Sequence, residues 1–169
     1  GTAFVDVSEP HAPVFLGLLL THTRASLWRS IKVYADHAFV VSEARNGHGM
    51  QVFDLTRLRD VPAPPVVFSE DAHYAGITSA HNVVLNEETG YAYAVGTTTC
   101  GRGLHIVDIR VPKSPVFAGC YAADGYTHHA QCVVYRGPDV GHQRRQVCFA
   151  ADVDTLHIVG REQVHILVV

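Results

Sequence analysis

Met50-Gln51-Val52-Phe53-Asp54-Leu55 returns 54 residues later as Leu104-His105-Ile106-Val107-Asp108-Ile109. An earlier copy is Thr2-Ala3-Phe4-Val5-Asp6-Val7, and a fourth, broken one is Leu156-His157-Ile158-Val159-Gly160. Successive steps from Asp6 to Asp54, Asp108 and Gly160 measure 48, 54 and 52 residues. The first three copies end in apolar-Asp-apolar, and all alternate with a period of two, the pattern of a β-strand. Self-similarity at such a period marks a repeat architecture in which one supersecondary unit recurs.

The flanks of the motif repeat as well. Pro10-His11-Ala12-Pro13-Val14-Phe15 matches Pro112-Lys113-Ser114-Pro115-Val116-Phe117, and Pro64-Pro65-Val66-Val67-Phe68 is the middle version. Each reads as a proline-bounded turn leading into a fourth strand. Upstream lie paired β-rich runs. Ile31-Lys32-Val33-Tyr34 precedes Ala38-Phe39-Val40-Val41, and His81-Asn82-Val83-Val84-Leu85 precedes Tyr91-Ala92-Tyr93-Ala94-Val95. Gln131-Cys132-Val133-Val134-Tyr135 precedes Val147-Cys148-Phe149-Ala150. Turn residues join the first two pairs at Ala35-Asp36-His37 and Asn86-Glu87-Glu88-Thr89-Gly90, and a longer stretch, 136–146, joins the third.

About four short strands per period, with no helical periodicity, predict an all-β fold. The period fits β-propeller blades of four antiparallel strands, and its regularity favours them over a β-sandwich. The blade repeats fall near 1–27, 28–75, 76–124 and 125–159. Blades stack face to face, which accounts for middle strands apolar on both faces, such as Phe39-Val40-Val41. Three to four blades make an incomplete ring, since closed propellers have roughly four to eight. The expectation is a segment of a larger propeller, or a homodimer in which two copies complete one ring. The repeat calls for Asp-Val-Ser after Val159 but reads Gly160-Arg161-Glu162. Residues 160–169 are therefore expected to be a non-native tail, as a reading-frame slip after Val159 would produce.

Composition sets the remaining bounds. In 169 residues, 47% are hydrophobic and 17% charged, enough apolar content for a core and against disorder. The net charge of −3 offers no basic footprint for nucleic acid. Arg136, Arg144 and Arg145 fall in a Gly/Pro-containing stretch and read as a solvated loop. No run approaches the roughly 18 apolar residues of a membrane helix. Of the four cysteines, Cys132 and Cys148 sit on adjacent strands of one hairpin, and Cys100 and Cys120 flank the third and fourth strands of one blade. Both pairings are reasonable, although three connectivities exist and four buried thiols are an alternative. Two bridges would imply an oxidising compartment.

Trp28-Arg29-Ser30-Ile31-Lys32-Val33-Tyr34, His48-Gly49-Met50-Gln51-Val52-Phe53-Asp54-Leu55, Ser79-Ala80-His81-Asn82-Val83-Val84, Gly103-Leu104-His105-Ile106-Val107-Asp108 and Asp124-Gly125-Tyr126-Thr127-His128 occur in that order. In this the chain resembles the LVIVD-repeat proteins, and among them the choice-of-anchor B group, over residues 1 to about 159. The resemblance implies a secreted or surface-anchored bacterial propeller. Where the family pattern has Thr-His-Asp-Ala-Gln, this chain has Thr127-His128-His129-Ala130-Gln131, so the family's carboxylate is a histidine here.

The 12 histidines sort by repeat position. His105 and His157 fall where Gln51 falls and read as periodic polar positions. His11, His22, His37 and His142 read as loop residues. A sharper set opens the first strand of each blade, the strand that lines a propeller's channel: Arg29, then His81 and Asn82, then His128, His129 and Gln131. These positions converge on one axis. Arg29 lines the channel, and His81, Asn82, His128, His129 and Gln131 either bind one divalent metal, calcium or zinc, or hydrogen-bond between blades. Glu43, Glu70, Asp71, Asp124 and Asp152 are the carboxylates that would favour calcium. The functional expectation is a binding or surface module for a small molecule or surface ligand. The rival is a metal-dependent hydrolase of small esters or lactones, with His81 or His128 as catalytic base and a metal-bound water. Propeller lactonases use a channel metal in this way, an analogy at the level of fold. There is no Gly-x-Ser-x-Gly elbow, and Gly101-Arg102-Gly103 lacks the context of a phosphate loop.

Overall fold

The computed structural model describes residues 1–44, 47–123 and 125–160. These residues form four β-sheets and two short 3-10 turns. The first sheet holds β1 (Thr2–Asp6), β2 (Val14–Leu19) and β6 (Val66–Phe68). The second holds β3 (Arg29–Tyr34), β4 (His37–Ser42), β5 (Met50–Asp54) and β7 (Ala72–Tyr74). The third is β8 (Asn82–Asn86), β9 (Tyr91–Val95), β10 (Leu104–Asp108) and β11 (Val116–Tyr121). The fourth is β12 (Thr127–Val134), β13 (Gln146–Asp152) and β14 (Leu156–Gly160). The described residues close neither a barrel nor a ring.

Local chemistry explains the hairpins. Ala35 and Asp36 both take positive φ (46° and 57°), the geometry of a two-residue hairpin turn between β3 and β4. The β8–β9 turn closes on Gly90 at φ 68°. Middle strands bury both faces: every residue of β9 is buried, as are Ala38 to Ser42 of β4. Successive sheets therefore pack on each other through apolar layers. Phe4, Leu19, Ala38, Phe53 and Phe68 fill the space between the first and second sheets. Phe39, Val52, Ile77, Val83, Ala94 and Val107 lie between the second and third. Tyr93, Val95, Leu104, Ala130, Cys148 and Val159 lie between the third and fourth. Between the second and third sheets and between the third and fourth, the leading strands make the most contacts, β3 with β8 and β8 with β12.

One strand departs from the repeat. Val66-Val67-Phe68 is expected to be the fourth strand of its own unit. It pairs instead in parallel with β2 of the first sheet (Gly17↔Val66, Leu18↔Val67, Leu19↔Phe68), and Ala72–Tyr74 completes the second sheet. Bulges explain the exchange. In the first and third sheets the outer strand passes a bulge at a glycine of positive φ, Gly17 (150°) and Gly119 (157°). The second sheet has Phe68-Ser69-Glu70-Asp71-Ala72, with no glycine and two residues more than Phe117-Ala118-Gly119. The strand breaks there. Asp71 seals the break: its N–H donates to the Val52 carbonyl (2.8 Å), and its Oδ2 accepts from the Asp54 N–H (2.8 Å) and Arg57 (2.9 Å). Gly17 admits the incoming strand, since a Cβ there would lie 2.0 Å from the Val66 carbonyl oxygen.

At the other end, Gly160 completes β14 opposite Val147. The remainder of the expected tail, 161–169, lies outside the described residues, as does Asp124.

Candidate functional site

The leading strand of the fourth sheet opens on a bulge. Thr127 pairs with Asp152 and His129 with Ala151, so His128 is the extra residue. Thr127 and Ala130 are buried, while His128 and His129 are both exposed. A regular strand would send these two side chains to opposite faces. The bulge frees both to reach the third sheet.

They engage different partners. The His128 ring lies 4.3 Å from the His81 ring, centroid to centroid. His81 Nδ1 meets Glu43 Oε2 at 2.9 Å, and the Tyr126 hydroxyl donates to Glu43 Oε1 at 3.4 Å. The Arg102 guanidinium sits 4.7 Å above the Tyr126 ring. Burial, and then the Glu43 carboxylate, raise the Tyr126 pKa, so the phenol keeps its proton and acts as a donor. Glu43 follows β4, His81 and Tyr126 precede β8 and β12, and His128 lies at the start of β12. One carboxylate, two imidazoles and a phenol from three successive sheets thus meet. A pocket of about 680 Å³ adjoins them, lined by Arg24, Ala25, Ser26, Leu27, Trp28, Glu43 and Ala44.

Asn82 and His129 make a separate set of contacts. Asn82 Nδ2 donates to His129 Nδ1 (2.6 Å), while Asn82 Oδ1 accepts from Ser30 Oγ (2.5 Å) and the Val83 N–H (2.8 Å). This Ser30–Asn82–His129 chain stitches the three leading strands together, the inter-sheet bonding that the sequence left as an alternative to a ligand role. Gln131 lies farther along β12, exposed above a groove with Asn86, Glu88 and Arg136. Arg29 turns away: Nη2 donates to Thr21 Oγ1 (2.7 Å), and Nη1 lies 3.4 Å from His48 Nε2.

Arg29 thereby belongs to a second cluster, between the first and second sheets, that the sequence reading missed. His22 Nε2 donates to both oxygens of Glu70 (2.8 and 2.9 Å). The His22 and His73 rings stack at 4.4 Å, 19° from parallel. His73 Nε2 donates to the His48 carbonyl (2.8 Å). His48 is fully buried, its Nδ1 meets the Gly49 carbonyl (3.0 Å), and burial lowers its pKa, so it stays neutral. His22 and Glu70 are 48 residues apart and follow strands of different repeats, so no spacing motif announces them.

Gln51, His105 and His157 share one repeat position and are all buried. Gln51 Nε2 donates to the Leu20 carbonyl in the first sheet's chain (2.9 Å). His105 Nε2 lies 2.8 Å from the Tyr74 hydroxyl of the second sheet, and its Nδ1 2.8 Å from Thr99 Oγ1. At Gln51 and His105 the position pins a sheet to the one before it. Among the candidate carboxylates, Glu43 and Glu70 join the two clusters, Asp71 seals the strand break, and Asp152 lies 3.3 Å from His157 Nε2.

The cysteines form two disulfides, Cys100–Cys120 and Cys132–Cys148, with Cα separations of 5.3 and 4.0 Å. Cys132 and Cys148 are direct cross-strand partners in β12 and β13. Among the described residues, two groups bring three possible ligand atoms within 4.8 Å of one another: Cys100, His105 and Cys120, and His22, Glu70 and His73. The disulfide consumes both sulfurs of the first group. No helix among the described residues is long and apolar enough to cross a membrane. No protein-family model, curated protein or solved structure matches the chain.

Proposed function

We propose that the chain is a segment of a secreted or surface-anchored bacterial β-propeller of the LVIVD-repeat, choice-of-anchor B type. In this reading it acts as a binding module, and its ligand seat is the cluster of Glu43, His81, Tyr126 and His128. The sheet stacking supports the propeller: sheets pack face to face in succession, and the leading strands β3, β8 and β12 contact one another. The two disulfides fit an oxidising compartment. Apolar residues exposed on the first sheet, among them Val5, Val14 and Phe15, suit a further blade or a second copy completing the ring.

The observation that carries the binding role is the convergence of groups from three sheets beside an open pocket. Glu43 supplies negative charge, and the imidazoles and phenol supply directed hydrogen bonds. That combination suits a divalent cation, or a small molecule bearing a positive or hydrogen-bonding group. Trp28, the sole tryptophan, lines the same pocket and reports on it. Titration with calcium and with zinc should change Trp28 fluorescence in the wild type, and His81→Ala with His128→Ala should abolish the change. An unaltered response in that double variant would remove this seat from the reading.

The 2.9 Å Glu43–His81 contact favours a second reading as a hydrolase. A carboxylate that orients an imidazole is the arrangement of a general base. It predicts turnover of p-nitrophenyl acetate or a simple lactone that EDTA and His81→Ala both abolish. Absence of turnover in the purified wild type rejects it.

A further inference from the structure

We propose that His22, Glu70 and His73 bind a transition-metal ion of the zinc type, and that this ion clamps the first sheet to the second. The site is separate from the Glu43–His81–His128 seat and does not depend on it. Three observations carry the proposal.

The first is the donor set. Two imidazoles, which are borderline ligands, together with one carboxylate are a donor set that zinc takes. Two atoms bound to one tetrahedral zinc lie about 3.3 Å apart, given bonds of about 2.0–2.1 Å. The ligand atoms of His22, Glu70 and His73 all lie within 4.8 Å of one another, and His22 is already 2.8 Å from Glu70. Small side-chain rotations of the two exposed histidines close the set. His73 is oriented as metal-bound histidines generally are: one ring nitrogen donates to a backbone carbonyl, that of His48, and the other keeps its lone pair.

The second is an orphaned acceptor. Gln51 is 2% exposed, and its Nε2 donates to Leu20, but its Oε1 has no hydrogen-bond partner. Gln51 lines a pocket of about 360 Å³ together with Leu19, Leu20, Thr21, His22 and Glu70. A buried polar atom without a partner is costly. A water completing the coordination of a metal at this pocket would supply the missing donor.

The third comes from the repeat. His73 pairs with Gln51 in the second sheet, at the register where Cys120 pairs with His105 in the third. In the third sheet that outer-strand position is stapled covalently, Cys120 to Cys100. In the second sheet His73 is joined by His22, which follows β2 of the first sheet, and by Glu70, from the break between β6 and β7. A metal there would be the staple for the one place where a strand is exchanged between sheets.

The test uses the whole chain, stripped of metal with a chelator and left with its disulfides oxidised. Zinc is titrated calorimetrically, and cobalt(II) is titrated with its visible absorption as a reporter of coordination geometry. The expected result is one equivalent that remains bound in His81→Ala with His128→Ala, tetrahedral-type cobalt bands, and a rise in thermal midpoint with zinc. His22→Ala and His73→Ala should each weaken binding by on the order of 100-fold or more, beyond the 10–100-fold typical of outer-shell changes, while circular dichroism stays unchanged. Glu70→Gln should weaken it too. His81→Ala with His128→Ala should leave this binding intact, so loss of the other seat and loss of this site are read separately. Absence of binding in the wild type, or wild-type affinity in both His22→Ala and His73→Ala, overturns the proposal. So does loss of the bound equivalent in His81→Ala with His128→Ala.

Discussion

Gly17 and Gly119 hold the same bulge position in two sheets, and replacing each with alanine separates two costs that usually come together. Their φ angles, 150° and 157°, are close, so an alanine meets about the same backbone strain, about 1–3 kcal/mol. Their surroundings differ. At Gly119 the nearest atom to an added Cβ is Ile106 Cδ1 at 3.7 Å, an ordinary contact. At Gly17 the Val66 carbonyl oxygen would be at 2.0 Å and the Phe68 ring at 2.8 Å. Val66 is held there by the parallel pairing of β6 with β2, so Gly17→Ala must push β6 off the first sheet. That loses one or two ladder hydrogen bonds at about 0.5–1.5 kcal/mol each, and part of the burial of Phe68, worth about 1.5–3 kcal/mol in full. Gly17→Ala should therefore cost roughly 2–4 kcal/mol more than Gly119→Ala. At about 2–4 °C per kcal/mol for a chain of this size, the extra fall in thermal midpoint is roughly 5–15 °C. Thermal unfolding by circular dichroism measures the difference. Hydrogen exchange should show the amides of Val66 to Phe68 losing protection in Gly17→Ala alone. Equal destabilisation by the two substitutions, with β6 still protected in both, would refute the strand exchange.

Two further outcomes follow from the cross-links and the buried imidazoles. Each disulfide closes a loop of 20 or 16 residues, so Cys100→Ser with Cys120→Ser, or Cys132→Ser with Cys148→Ser, should lower stability by about 3 kcal/mol; denaturant midpoints that do not move under a reductant shown to break both bridges would contradict this. Burial lowers the pKa of His48 and His105 below 6.5, so the unfolded chain binds more protons than the folded one as pH falls through that value. Their contribution to stability is therefore full above about pH 6.5 and lost as pH drops through the folded values. Guanidinium midpoints at pH 7.5 and 5.5 should differ less in His48→Gln with His105→Gln than in the wild type, and an undiminished difference counts against neutral buried imidazoles.

Strand pairing within each unit was legible because it is local. The period-two motif around Asp54 and Asp108 and the Ala35-Asp36 turn place β3 to β5 and β8 to β10 without any long-range information. The two disulfides were legible as one option because Cys132 and Cys148 fall opposite each other once the hairpin register is known. Convergence of His81 with His128 followed from their repeat positions. The partner that fixes His81, Glu43, did not, because it lies in the loop after β4 rather than on a leading strand. Arg29 shares the repeat position of His81 but bonds Thr21 and His48, since those are the groups within reach on its side of the second sheet.

By itself the amino-acid sequence determined the all-β class and the strands β3 to β5 and β8 to β10. Alternation and turn chemistry act over a few residues, and the repeat copies that information from unit to unit. Only the tertiary structure decided where β6 belongs and what surrounds His22, Glu70 and His73. Val66-Val67-Phe68 reads the same whether it pairs with β5 or β2; the choice rests on two extra residues that break the strand and on the space above Gly17. His22 and Glu70 meet because β2 and β6 pair in the first sheet, and His73, from β7, joins them only once the second sheet is packed against it.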